Sequence, residues 1–369
     1  MSTADPSNPI TSVNPITSVS PGYQAPGIYT NQALLTRLNL DLRGRMFPVE
    51  RETLMLLPES VLLGLFPQGL ILSKPASWDG GDDGVFTVDF DPDCFQYILD
   101  FWADAQASFY GTPTSPGLFH AQQNIPSSPS DPNSDVNQNP LLTKQAIIVL
   151  REELEYFSIT KPGALARVDA HEQANDELRA LKRAAGEALA SKRQIFTALQ
   201  RNVNKENNQA EQHLIDMLCM SGFNRDDEWG YRACEPTRNV ISSMALVLLK
   251  TGIIHPGQPG APADITTPII DDKQMGTAQK LLLFWRKPAR KCWWDGVEVE
   301  VPESTMSDKT MPVKVWARRV WTLELSLVSW RSRAQDWKLT SRSRRVVMCI
   351  SGLIRLVAMH RLIPGGVGV

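Results

Sequence analysis

The chain has 369 residues, 42% of them hydrophobic and 21% charged, and a formal net charge of −2. A length of this order carries two or three domains at ~100–200 residues each, and a near-neutral balance excludes the strongly basic or acidic chains whose composition alone announces a nucleic-acid or membrane partner. Five cysteines (Cys94, Cys219, Cys234, Cys292 and Cys349) are widely spaced and form no Cys-x-x-Cys. That pattern argues against a disulfide or zinc framework and fits a reducing compartment. The first thirty residues lack the basic and apolar segments of a secretory signal. The longest apolar runs, 244–249 and 346–350, fall far short of the ~20 residues of a membrane span. The expectation is a cytoplasmic or nucleocytoplasmic protein.

Residues 1–38 are rich in Pro, Ser and Thr and carry a doubled hexapeptide, Asn8-Pro9-Ile10-Thr11-Ser12-Val13 and Asn14-Pro15-Ile16-Thr17-Ser18-Val19. Such a composition buries no core and reads as a disordered arm, its two copies either a bivalent docking peptide or a duplicated linker.

Residues 39–160 hold the most specific patterning. Leu40-Asp41-Leu42-Arg43-Gly44 reads as a short strand and turn, and Phe47-x-Val49 as a second strand. Arg51-x-Thr53-Leu54 opens a helix, which stops before Pro58-Glu59-Ser60. After Leu65-Phe66 comes a gap, then a third strand at residues 85–88. Asp91-Pro92 opens another helix, with Pro92 at the first helical position and Asp91 as its cap. Cys94, Ile98 and Trp102, with Phe95 and Phe101, give that helix an apolar face. It is expected to end near Gln106. Residues 111–140 contain Pro113, Pro116, Pro126, Pro129, Pro132 and Pro140 and are expected to be an insertion without regular structure, carrying Thr112-Pro113, Ser115-Pro116 and Ser128-Pro129 as phosphate-acceptor candidates. A helix starting near Leu142 and a closing helix, Val149-Leu150-Arg151-Glu152-Glu153-Leu154-Glu155-Tyr156-Phe157-Ser158-Ile159, complete the unit, which is expected to fold independently.

This order of parts resembles the BTB/POZ fold, in the T1 form of potassium-channel tetramerisation-domain proteins. The likeness rests on the Leu-Asp-Leu-Arg-Gly turn, Phe47 to Leu54, Pro58-Glu59-Ser60, Leu65-Phe66, and Asp89-x-Asp91-Pro92-x-x-Phe95-x-x-Ile98-Leu99. Arg43 stands where the channel type has one Gly of a pair, and Phe90 where it has a basic residue between the two acids. Those departures look more like the fungal Whi-type stress-response and growth regulators. The resemblance implies an α/β (α+β) fold with a core of Phe47, Leu54, Leu65, Phe95, Ile98 and Leu99. It also implies association through polar flanks, where Asp41, Arg43, Asp89, Phe90 and Asp91 form the candidate protein interface. Because Arg43 and Phe90 alter both sides of a channel-type contact, the expectation is a monomer or looser oligomer and no four-fold ring.

By the same resemblance the chain is a non-enzymatic adaptor. Its client would be a haloacid-dehalogenase-type phosphatase, and its output general stress response and restraint of the target-of-rapamycin kinase complex when amino acids are low. The alternative is a substrate adaptor of a cullin-type ubiquitin ligase.

Residues 161–254 read as helical. Leu178, Leu181, Ala185, Ala188, Ile195 and Leu199 form a thin stripe over 168–200, better suited to a packing partner within the chain than to a free coiled coil. Further helices are expected over 210–220 and 239–250, and a loop over 255–273. Residues 274–330 are a Trp-rich mixed α/β region. Asp295-Gly296 is the strongest hairpin signal in the chain, setting Lys291 opposite Glu300, Cys292 opposite Val299 and Trp293 opposite Glu298, with Val297, Val299 and Val301 on one face. Trp321, Leu323, Leu325 and Leu327 alternate with polar residues as a strand does. The tryptophans at 285, 293, 294, 316, 321 and 330 are either a sheet core or a binding groove. Residues 331–369 carry eight cations against the single Asp336, a net +7, and read as a basic tail with peripheral membrane or nucleic-acid contact in prospect, or as a terminus without a selected role.

No Gly-x-Ser-x-Gly, Walker-type Gly-x-x-x-x-Gly-Lys-Ser/Thr or His-Glu-x-x-His occurs. The five histidines are isolated, His171 and His213 reading as solvated helix-face residues. Asp226-Asp227-Glu228 and Asp271-Asp272 lack the alternating ligands of a calcium loop. Neither catalysis nor a metal or cofactor is expected.

Overall fold

Leu38, Leu40 and Leu42 alternate with polar residues along β1 (Arg37–Leu42) and are all buried, as a strand with one face on a core requires. The computed structural model describes residues 35–70, 85–123, 125, 139–159, 176–206, 209–258, 261–302 and 310–328. The arm up to residue 34, Ser128-Pro129, His171, Trp330 and the basic tail lie outside the described residues. β1 pairs antiparallel with β2 (Arg45–Glu50) through a two-residue turn whose central residues, Arg43 and Gly44, both have positive φ, 51° and 90°. That is the primed turn that short hairpins favour.

α1 (Arg51–Met55) and α2 (Glu59–Leu65) lead to β3 (Val85–Val88), which lies parallel to β1 and completes a sheet of order β2-β1-β3. α3 (Pro92–Tyr110) starts as its sequence demands: Asp91 Oδ1 accepts the Asp93 and Cys94 amides at 2.9 and 3.0 Å. Of the expected core, Phe47, Leu54, Leu65, Phe95 and Ile98 are buried, with Phe47 and Phe95 edge to face at 5.1 Å; Leu99 is only half-buried, at the margin of this core.

Three expectations fail just beyond. α3 runs past Gln106 to Tyr110. Residues 111–122 are not irregular: β4 (Gly111–Thr112) and β5 (Ser115–Pro116) form a minimal hairpin, and α4 (Leu118–Gln122) packs Phe119 on Phe109 and Tyr110. The prolines sit in and beside the turn, which tolerates them. Asn139 then caps the short α5 (Pro140–Thr143). The third correction is the largest. The expected closing helix is β6 (Gln145–Ile159), a fifteen-residue strand.

The remaining elements are α6 (Asp176–Ala190), α7 (Thr197–Glu206), α8 (Gln209–Ser221), β7 (Tyr231–Cys234), β8 (Val240–Leu248), β9 (Ile253–Ile254), β10 (Ile269–Ile270), α9 (Asp272–Trp285), β11 (Ala289–Pro302) and β12 (Thr310–Val328). β6 is the middle of an antiparallel sheet of order β11-β12-β6-β8-β7. The helix expected over 239–250 is therefore β8, whose two buried faces erase the alternation that marks a half-exposed strand. The loop expected over 255–273 contains β10, paired with β9. Its His255 is buried, with Nε2 3.2 Å from Gln122 Nε2, and burial lowers its pKa.

Asp295-Gly296 closes no hairpin. Both residues lie mid-strand in β11, opposite Ala317 and Trp316 of β12. Val297, Val299 and Val301 do share one buried face, and the Trp321-to-Leu327 alternation is a strand. Leu178, Leu181, Ala185 and Ala188 pack on that valine face, while Ile195 and Leu199 join a second core with α8 and α9, so the helical stripe is an internal packing partner.

Candidate functional site

β6 decides what the five-stranded sheet can present, because its side chains alternate. Ala146, Ile148, Leu150, Glu152, Leu154 and Tyr156 point to the helical layer and are all buried. On the opposite face Ile147 and Val149 join the core of the N-terminal sheet, together with Met244, Leu246 and Val328. Further along, Arg151, Glu153, Glu155 and Phe157 emerge from under that cover and line a cleft of about 1020 Å³. Among the described residues, the N-terminal unit thus roofs one half of this sheet face and not the other.

The cleft's near wall is built by the hairpin turn and the start of α3. Arg43 donates from Nε to Asp89 Oδ1 at 2.8 Å and from Nη2 to Glu235 Oε2 at 2.5 Å, and its Nη1 is 3.6 Å from Asp91 Oδ2. Three carboxylates on one guanidinium offset the cost of a left-handed backbone at a residue with a Cβ. Glu235 is further held by Ser242 Oγ at 2.7 Å. Tyr231 lines the same wall, its phenol pushed well above the usual range by burial and by the neighbouring Asp91. Asp41 stays on the turn, where its Oδ1 accepts the Gly44 amide at 2.8 Å.

Of the five expected interface residues, Arg43, Asp89 and Asp91 therefore meet in the cleft, and Asp41 flanks it. Phe90 is buried, its ring edge to face with Phe95 at 6.4 Å and against Gly64, and it sits at the floor of the cleft. With an apolar residue between the two acids, the chain turns that position inward. Arg43, expected at an altered flank, has its partners within the chain: Asp89, Asp91 and Glu235.

Past the cleft, on the same face of the sheet, lies an aromatic shelf that meets the cleft at Phe157. Phe157, Trp294 and Trp316 are 45%, 56% and 49% exposed, and the Phe157 and Trp294 rings stack at 6.1 Å with 29° between planes. Ile159 continues the patch at the end of β6. Gly296, opposite Trp316, sets no side chain under that indole; a Cβ there would lie 3.8 Å from it. Arg318 and Glu155, paired at 3.2 Å, stand between the shelf and the acidic wall. The tryptophan-rich segment thus divides. Trp285 and Trp321 are core, with Trp229 beside them, whereas Trp294 and Trp316 face outward. Glu235, Arg151, Arg318 and Phe157 carried no signal of their own in the sequence.

The cleft thiol, Cys94, is buried and its pKa is pushed up to about 12, so it stays protonated. Beneath the cleft, on the helical side of the sheet, Glu152 accepts Arg232 Nη1 at 2.6 Å, Arg319 Nη1 at 2.9 Å and Trp321 Nε1 at 2.9 Å. Arg232 also meets Ser243 Oγ at 2.6 Å, and Asp295 takes Arg201 at 2.7 Å. Every strand of the sheet contributes to this buried polar band, which ties the strands in register under the open face. What the face offers is an aromatic shelf with a charged rim, the chemistry of protein recognition. No helix among the described residues is long and apolar enough to cross a membrane.

A WHI2-like protein of Schizosaccharomyces pombe is 32% identical over 296 residues, covering 78% of this chain and 86% of that protein. A growth regulation protein of Saccharomyces cerevisiae is 27% identical, with 79% and 91% covered, and an uncharacterized S. pombe protein 25% identical, with 81% and 90% covered. No family model matches the chain.

Proposed function

We infer that this chain, which belongs to the Whi2-like growth-regulation proteins of fungi, is a non-enzymatic adaptor that regulates growth by holding a protein client on its open sheet face. The N-terminal unit serves as a BTB/POZ-like module and forms one wall of the site. The client is a phosphatase of the haloacid-dehalogenase type, and the output is general stress response and restraint of target-of-rapamycin signalling.

The observation that carries this reading is the outward placement of Phe157, Trp294 and Trp316 on one sheet face, which borders the charged cleft at Phe157. Large aromatics cost free energy when left in water, and they dominate the energetics of protein interfaces. Replacing Trp294 and Trp316 by Ala removes the shelf without touching the core. In fungal cells the wild-type chain is expected to co-purify with the phosphatase and the double variant to lose it. A cullin in place of the phosphatase, or equal recovery by both forms, would overturn the assignment.

A further inference from the structure

A second apolar feature lies away from the cleft, at the end of α9. That helix buries Met275, Ala278, Leu281 and Trp285 in the helical-side core. Leu283 and Phe284 point the other way, 77% and 72% exposed, the most exposed large apolar side chains of the described residues. The two side chains are adjacent at the helix end. Around them the charge is of one sign. Lys273 and Lys280, seven residues apart, lie within ~20° of one line along the helix, and Lys287 follows just past its end. Arg286 follows directly, and all four are exposed. No Asp or Glu occurs between Lys273 and Trp294; the acids of the helix, Asp271 and Asp272, sit at its opposite end. Lys287 has Glu59 of α2 for a neighbour.

We propose that the end of α9 is a peripheral membrane contact, with Leu283 and Phe284 entering the headgroup and acyl boundary of an anionic bilayer while Lys280, Arg286 and Lys287 pair with acidic headgroups. An exposed apolar pair on a segment that carries cations and no acid from Lys273 to Trp294 suits a fluid, negatively charged surface. The contact is separate from the aromatic shelf, so a client and a membrane are engaged by different faces. It is also independent of the basic tail and of the adaptor reading.

Flotation of the full chain with vesicles of phosphatidylcholine and phosphatidylserine (7:3) tests it at low salt. The wild type is expected to float with these vesicles and not with vesicles of pure phosphatidylcholine. Leu283→Ser with Phe284→Ser is expected to lower the bound fraction about fivefold or more while the thermal melt is unchanged, since both side chains are exposed. Lys280→Glu with Lys287→Glu is expected to remove the dependence on phosphatidylserine. No flotation of the wild type, or equal flotation of the serine variant (the tail alone then carrying the binding), would overturn the proposal. So would a serine variant that differs from wild type only by changing from dimer to monomer.

Discussion

Arg43 and Glu235 are 192 positions apart in sequence, and their guanidinium and carboxylate meet at 2.5 Å. The contact ties the first hairpin to the strand pair at the far edge of the second sheet. It is one of several such ties: Arg151 donates to the Ser60 carbonyl, the Leu246 amide donates to Tyr97 Oη at 3.2 Å, and Tyr110 Oη donates to the Val328 carbonyl at 3.0 Å. β6 itself is paired on both sides by strands from the C-terminal half.

The N-terminal unit therefore does not end where the sequence motifs end. A fragment of residues 39–159 loses both partners of β6 and the Met244, Leu246 and Val328 side chains of its core, and we expect no cooperative melt for it by circular dichroism. In the full chain, Arg43→Gly relieves the turn but removes the guanidinium that Asp89, Asp91 and Glu235 share. Losing these partly exposed charge-assisted bonds costs about 1 kcal/mol, which urea denaturation reads as a lower midpoint at unchanged slope.

Glu324 reaches from β12 to the start of α2, where Oε1 accepts the Glu59 amide at 2.7 Å and Oε2 the Ser60 amide at 2.9 Å. Pro58, at the N-cap position, offers no side-chain acceptor, so the cap comes from another sheet. Glu324→Ala should cost about 0.5–2 kcal/mol, the worth of an N-cap. Burial outweighs the two amides and raises the Glu324 pKa. A raised carboxyl contributes stability that is complete below its unfolded pKa of ~4.3 and is lost as pH rises through the folded value. Melts of wild type and Glu324→Gln should accordingly draw closer as pH rises above about 4.3.

Glu152 behaves in the opposite sense. Burial alone would raise its pKa, but Arg319 and Arg232 hold it below the usual carboxylate range. Its stabilisation is complete above the unfolded pKa of ~4.3 and is lost as pH falls through the folded value. Glu152→Gln strands two buried guanidinium groups, and we expect a loss of about 3–5 kcal/mol at neutral pH, the range for breaking a buried ion pair. An acid titration followed by tryptophan fluorescence should show the variant losing the low-pH part of the transition.

These same residues explain what the sequence could and could not tell. The Asp91-Pro92 helix start, the β1 turn and five of six core positions were legible because each depends on neighbours within a few residues. Residues 149–159 were misread because Arg151-Glu152-Glu153-Leu154-Glu155 has the charge density of a helix. Glu152 is buried only because Arg232 and Arg319 arrive from 80 and 167 positions away. Asp295-Gly296 misleads for the same kind of reason: Arg201, 94 positions away, donates to the aspartate, and Trp316 lies over the glycine. Trp294 and Trp316 were noticed as tryptophans, but only the pairing of β11 with β12 and β6 shows that they face outward beside Phe157.

The adaptor reading stands or falls on that outward face. Isothermal titration calorimetry of the purified full chain with a purified haloacid-dehalogenase-type phosphatase of the same fungus tests it most directly, with Trp294→Ala/Trp316→Ala alongside. Interface tryptophans of this kind are worth ~2 kcal/mol or more each, and ~1.4 kcal/mol is tenfold in affinity. The account predicts a saturable complex for the wild type and an affinity lower by about 100-fold or more for the variant, with the variant's melting temperature unchanged. Equal affinities for the two forms, or no heat of binding for the wild type, would contradict it.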